Sequence, residues 1–248
     1  MKDNPVLRES LDIFFSEGHG FAVYFYLLIT LAPVEFLSLY LPSLDTQMWS
    51  GSASLFKVTA VTALLLTVYF ALRVANQEFA PWRFKTVKRW VRENGLAPSV
   101  IGRGQLAFLS LHVVFSIFLC VPFLIWAGAI ARTPFSRVAV TLMLLLFYAL
   151  SYGVWGLVTL DLWERRAESR QVFIRCFFFC LVVVSALFYL PVNPVAYLLA
   201  YLSRQELAPL GIAGWKMPAT AVHFAFHLMI GSVGLAAHQW ALKRESTV

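Results

Sequence analysis

The sequence predicts an all-α, polytopic membrane protein with six transmembrane helices. Three observations lead there. Of the 248 residues, 60% are hydrophobic and 13% are charged, against about 25% charged in an average soluble domain. A water-soluble fold cannot hide that much apolar surface. The apolar residues fall into six runs, each near the ~20 residues that a helix needs to cross hydrocarbon. None of the runs shows the period-2 alternation of a membrane barrel, so the spanning backbone must satisfy its own hydrogen bonds as helix.

Before the first run, Leu7, Leu11, Phe14 and Phe15 recur at helical spacing. Residues 4–17 therefore read as an amphipathic helix lying at the inner interface, with Gly18 and Gly20 letting the chain turn into the first span. Lys2 and Arg8 alternate with Asp3, Glu9, Asp12 and Glu17. No cleavable leader is expected from that pattern. The spans are expected at about 21–41, 54–75, 106–131, 138–160, 176–192 and 219–242, as one domain over 1–248.

Lys and Arg set the orientation. With the N-terminus cytoplasmic, only Lys57, Arg132, Arg137, Arg204 and Lys216 face outside, and the other fifteen basic residues lie inside. Both termini are then cytoplasmic. The same bias accounts for the net charge of +7 without nucleic acid. The segment after the fifth span, 194–213, is apolar but broken by Arg204, Glu206 and Pro209. If it crossed the membrane, Lys243 and Arg244 would lie outside, so it reads as outer re-entrant or surface-lying helices.

Between the second and third spans the sequence turns basic and keeps two tryptophans, Trp82 and Trp90. At 100° per residue, Phe84, Val87, Trp90 and Val91 share one arc, and Lys85, Lys88, Arg89 and Arg92 share the opposite one. Pro81 suits a first helical turn and Gly95 a left-handed cap. The expected element is a cytoplasmic helix over 82–93. It either rests on anionic headgroups or docks a cytoplasmic partner, with the apolar arc as the docking knob.

The stretch after it favours docking. The order "KTVKRWVRENGLAPSVIGRG", with Thr86, then Leu96, Pro98, Ser99, Ile101 and Gly102-Arg103, and later Val121-Pro122-Phe123, resembles the permeases of type-2 ATP-binding-cassette (ABC) exporters. The polar turn after the fourth span, which carries Arg165, and the Asn193-Pro194 pair after the fifth are similar to that family as well. One departure is Ala80-Pro81-Trp82, where the family commonly has Glu-Arg. The resemblance implies a permease in a bacterial inner (plasma) membrane, paired with a second permease half, itself or a paralogue. It also implies coupling through Phe84, Val87, Trp90, Val91 and Arg165. The chain contains no G-x-x-x-x-G-K-[ST] phosphate loop. ATP and Mg²⁺ are therefore expected on a separate P-loop ATPase subunit, with no cofactor and no catalytic residue in this chain. The alternatives are an ATP-independent secondary transporter and an integral-membrane enzyme.

Glu35, in the outer half of the first span, is a candidate for the substrate path or gate because an acid at membrane depth is costly to keep. Asn193 and Pro194 join it through the resemblance. His223 and His227 lie four apart on the sixth span, and Cys176 and Cys180 four apart on the fifth. Each spacing is one a metal site uses, but the two pairs start from opposite faces, so packing and interhelical hydrogen bonds are expected instead, and no metal. "GSVG" at Gly231 to Gly234 resembles the serine motif of rhomboid proteases. His227 shares its helix one turn away, so close helix packing is expected there too.

Overall fold

The structure, a computed structural model, describes residues 4–16, 18–40, 52–77, 85, 87–163, 166–212 and 215–246. Nearly all of them are helical. Helix α1, Pro5–Ser16, starts where Asn4 caps it. The Asn4 Oδ1 accepts from the amides of Val6 (3.0 Å) and Leu7 (3.2 Å), and its Nδ2 donates to the Val100 carbonyl at 2.8 Å. One residue thus satisfies two orphan amides of a helix start and ties α1 to the start of the third span. Val6, Ser10 and Phe14 form its buried stripe.

Among the described residues, six helices are long and apolar enough to cross a membrane. They are α2 (His19–Tyr40), α3 (Ser52–Ala75), α5 (Pro98–Ile130), α6 (Phe135–Leu162), the continuous run Ala167–Phe188, and α10 (Ala219–Ser246). The run Ala167–Phe188 consists of α7 (Ala167–Phe179), a π-turn over Cys180–Val184 and α8 (Ser185–Phe188). The short helix α4, Val87–Asn94, precedes α5. Its C-terminal cap is the one expected: Gly95 has φ +59°, and its amide donates to the Val91 carbonyl at 3.0 Å. The predicted start of that helix, including Phe84 and Thr86, lies outside the described residues.

The centre of the bundle is α3 against α6. Leu64, Leu72, Leu145, Tyr148 and Tyr152 are buried there. The helices approach closely at Gly153 and Gly156, where a Cβ on Gly156 would stand 2.4 Å from the Leu72 carbonyl oxygen. α10 lies along the other side of α6. Gly231 passes Ser151, and Gly234 passes Trp155, whose Nε1 donates to the Ile230 carbonyl at 3.2 Å. The GSVG motif is therefore a packing surface, and Ser232 between its glycines is exposed. Small residues perform this task in membrane helices, where no hydrophobic effect drives helices together.

Three expectations about boundaries are corrected. The third span begins at Pro98, eight residues earlier than expected, because nothing between Pro98 and Pro122 interrupts a helix. At 1.5 Å per residue its 33 residues make a rod of about 50 Å, well beyond a hydrocarbon core of about 30 Å. The fifth span likewise begins earlier, at Ala167, because the polar residues before Cys176 continue the helix. The outer segment is one helix and not a pair. α9, Pro194–Ser203, ends on a left-handed Arg204 (φ 56°, ψ 32°). After an irregular stretch, β1 (Leu210–Ile212) then pairs antiparallel with β2 (Trp215–Met217). At about 15 Å, α9 is half a membrane long, and it packs on α3 and α6.

Candidate functional site

The basic end of the bundle is assembled first. Val6 of α1, Val87 and Trp90 of α4, Ile101 of α5 and Leu242 of α10 form one apolar cluster, with Val91 packed against it. The apolar arc of α4 therefore faces the chain's own bundle. Val87 is 5% exposed and Trp90 6%, so neither projects as a knob; any coupling role they have acts through the position they give α4. Lys85 seals this packing. Its ammonium lies 4.8 Å from the Trp90 ring centroid, 3.5 Å from Glu9 and 3.4 Å from Glu93. What α4 leaves exposed is Arg89, Arg92, Glu93 and Asn94. Arg89 Nε donates to Glu93 at 2.7 Å. That hydrogen bond holds the Glu93 carboxyl below the usual carboxylate range and raises the Arg89 guanidinium. Arg165, expected to act with this surface, lies outside the described residues.

Just inside that end, three side chains from three spans meet. Asp161 of α6 accepts from His238 Nδ1 of α10 at 2.6 Å and from Gln105 Nε2 of α5 at 3.3 Å. Asp161 and His238 are 2% and 0% exposed. A carboxylate only accepts, so the His238 Nδ1 carries the proton. Beside them Thr159 Oγ1 donates to Asn76 Oδ1 at 3.2 Å, linking α6 to the end of α3. In the same core, Tyr24 Oη lies 3.1 Å from His112 Nδ1, joining α2 to α5.

Toward the opposite end, the two histidines of the sixth span do what their spacing allows on one helix face. His223 Nδ1 donates to the Pro191 carbonyl at 2.6 Å, which leaves Nε2 to accept the Tyr148 hydroxyl proton at 2.5 Å. Tyr197 of α9 stacks on the His223 ring with centroids 3.8 Å apart. His227 Nδ1 is 2.6 Å from Tyr152 Oη. The two tyrosine bonds join α10 to α6, and the Pro191 bond ties α10 to the turn before α9. Cys176 and Cys180 stand exposed on the fifth span. Among the described residues, no group of three or more His, Cys, Asp or Glu side chains could hold a metal ion.

Asn193 joins this outer region to the fifth span. Its Oδ1 caps α9 by accepting from the Ala196 amide at 2.8 Å. Its Nδ2 donates to the Val182 carbonyl at 2.7 Å and to Ser185 Oγ at 2.9 Å. Val182 lies inside the π-turn, where the helical ladder is interrupted, so the amide answers a carbonyl that the turn displaces. Pro194 follows as the first helical residue, where its missing N–H costs nothing. Asn193→Ala is expected to lower stability by about 2–3 kcal/mol, combining a lost cap with a buried carbonyl left unpaired. Asn193→Asp keeps the cap but sets an oxygen against Val182 and is expected to cost no less. Thermal unfolding in detergent checks both, and an unchanged midpoint for Asn193→Ala refutes the assignment. Glu35, the other expected gate residue, is 3% exposed on α2, and its Oε1 has no hydrogen-bond partner among the described residues. The structure does not bring it together with the His223–His227 group in any hydrogen bond among those residues.

Sequence reasoning missed Asp161, His238, Gln105, Tyr24 and His112. One signal was present. Asp161 is an acid inside the otherwise apolar stretch "GLVTLDLW", and a lone charge at such a place demands a partner.

This fold and its polar interior define a multi-pass α-helical membrane protein. Compared with known proteins, the chain matches no family model, no curated protein and no solved structure.

Proposed function

We propose that the chain is the membrane-spanning permease subunit of an ATP-driven exporter of the type-2 ABC class. It works by alternating access between two such halves, identical or paralogous. A separate P-loop subunit binds ATP and Mg²⁺ and hydrolyses the nucleotide. The observation that carries this reading is how α4 is held. Its apolar side is set among α1, α5 and α10 through Val87 and Trp90, while Arg89, Arg92 and Glu93 stay exposed. A partner bound to that charged side moves three elements, two of them spans, as one. This is the mechanical requirement of coupling, since a bound partner shifts an equilibrium only through elements that differ between the two states. Phe84 and Arg165 extend the coupling surface in this reading, and Glu35, Asn193 and Pro194 border the substrate path. The membrane is a bacterial inner membrane, with both termini on the cytoplasmic side.

An ATP-independent secondary transporter draws its support from Glu35, His223 and His227, ionisable groups held inside spans. His223 already has both ring nitrogens engaged, which leaves it no nitrogen for a substrate. A membrane enzyme would need a nucleophile beside a base, and the exposed Ser232 does not meet the buried His227.

The test is co-purification from native membranes and transport at matched expression. Arg89→Glu combined with Arg92→Glu is expected to release a P-loop ATPase, because charge reversal on a docking rim costs several-fold in association. Trp90→Ala is expected to retain part of the binding but to lose most transport, since it loosens α4 from the spans. If no ATPase accompanies the unaltered chain, and transport follows an ion gradient without ATP, the exporter reading fails.

A further inference from the structure

At the basic end, between the start of α5 and the last turns of α10, lies a cavity of about 270 Å³ bordered by Ser99, Gly102, Arg103, His238 and Lys243. A second, larger trough of about 610 Å³ adjoins it along the outer side of α5, between that helix and α1. It is lined by Leu7, Leu106, Ala107, Leu111 and Val114, and both spaces share Arg103 and Leu106. The first space carries the cations Arg103 and Lys243, the second is mainly apolar but includes Asn4 and Ser110, and Arg103 stands at the junction.

The feature that makes the smaller cavity a site is His238. The ring is fully buried, its Nδ1 is committed to Asp161, and its Nε2 has no hydrogen-bond partner among the described residues. A buried polar atom left unpaired is costly. This one faces the cavity wall at Gly102: a Cβ built there would lie 3.5 Å from Nε2 and 2.7 Å from Leu242. Glycine at 102 lets α5 pass close to the ring and to Leu242, so that the ring edge borders the cavity. With Nδ1 donating to a carboxylate, Nε2 is the ring atom left for a ligand: it accepts from a P–OH when the ring is neutral and donates to a P–O⁻ when the ring carries both protons. Around it stand two cations, Arg103 and Lys243, and the N-terminal end of a 33-residue helix that begins at Pro98. Cations and a helix N-terminus favour an anion. The ligand chemistry is therefore an anionic phosphate that presents P–OH or P–O⁻, attached to an aliphatic chain that fits the adjoining trough.

We propose that this composite pocket binds one anionic phospholipid of the phosphatidic acid type. Its phosphate monoester sits among Arg103, Lys243 and His238, and one acyl chain lies along Leu106, Leu111 and Val114. Asp161 and Gln105 are positioning residues that hold the imidazole turned toward the cavity. The site is independent of the transport reading above, because neither the exposed charges of α4 nor a second subunit contributes to it.

The experiment is native mass spectrometry of the purified, delipidated chain titrated with dioleoyl phosphatidic acid, dioleoyl phosphatidylcholine or inorganic phosphate. One phosphatidic acid is expected to bind saturably, about tenfold or more tighter than phosphatidylcholine, and millimolar inorganic phosphate is expected not to displace it. Arg103→Gln, at an exposed position where the side chain gives up only a bond from Nε to the Ser99 carbonyl, is expected to weaken binding about tenfold. His238→Asn keeps a donor toward Asp161 while removing the Nε2 atom, and is expected to do the same. Lys216→Gln, on the distant hairpin, is expected to change nothing. Equal affinity for the two lipids would reduce the trough to ordinary lipid contact and overturn the proposal. So would unchanged binding in Arg103→Gln, or displacement by inorganic phosphate, which would mark a site for a soluble anion.

Discussion

Gly156→Val is expected to leave almost no folded protein, and Gly156→Ala to lower stability by about 3 kcal/mol or more. The reason is the contact between α6 and α3 at the centre of the bundle. A Cβ at position 156 would meet the Leu72 carbonyl oxygen at 2.4 Å, the Ala75 Cβ at 2.7 Å and the Asn76 amide nitrogen at 3.1 Å. Two of these three are backbone atoms, which cannot swing aside as a side chain can. Relief requires the helices to separate, and separation undoes the packing of Leu64, Leu72 and Tyr152 and the bond between Thr159 and Asn76. Membrane helices are held by such close contacts with no hydrophobic penalty to resist their parting. The measurement is the folded fraction after detergent extraction, by gel filtration and thermal unfolding. Gly211→Ala is the control, since a Cβ there meets nothing within 4 Å. If Gly156→Ala melts with the unaltered protein, the close approach of α3 and α6 is wrong.

The second large effect is expected at His238. His238→Leu leaves the Asp161 carboxylate buried without the imidazole it holds at 2.6 Å. Removing one partner of a buried pair costs about 3–5 kcal/mol, and the bond from Gln105 and the carboxylate's remaining contacts hold the loss to the lower end of that range. Adding Asp161→Asn to His238→Leu takes the charge away and leaves an amide for Gln105 to bond. The double variant is therefore expected to be more stable than His238→Leu alone, a non-additivity that two independent sites would not show. Thermal unfolding of the two single variants and the double one reads the coupling directly. Strict additivity would mean that the pair contributes nothing as a pair.

The six spans were legible because the bilayer permits so little else: a long apolar run in this composition has to be a helix. The cap at Gly95 was legible for an equally local reason, since only a left-handed residue continues the chain there. The starts of α5 and α7 were not legible, because polarity marks where lipid ends and not where a helix ends. Pro98–Gln105 and Ala167–Arg175 are polar yet helical. The outer segment misled through its apolar content, which hid Arg204 as the left-handed stop and a hairpin after it. Within α4 the shared face of Val87, Trp90 and Val91 was drawn correctly, but Lys85, expected opposite, lies over Trp90, and the partner was not foreseen: the helical wheel shows that Val87 and Trp90 share a face, not that α1, α5 and α10 already cover it. The polar pairs lay furthest from view. Tyr148 and His223 are 75 residues apart, as are Tyr152 and His227, and Tyr24 and His112 are 88 apart. Only the arrangement of helices reveals which face meets which.

The fifth span carries a consequence for the order of assembly. Along Ala167–Phe188 the buried residues are only Arg170, Ile174 and Leu181, while Phe179, Leu187 and Phe188 stand exposed. Its outer end is pinned chiefly by the Asn193 amide, which comes from the chain that follows it. A span inserted by the translocon but gripped so lightly waits in lipid until α9 has been made and has found α3 and α6. It thus joins the bundle only after the chain that follows it, and is the first span to leave on unfolding. Its backbone amides should exchange with deuterium before those of α3 and α6, as belongs to the element of lowest local stability.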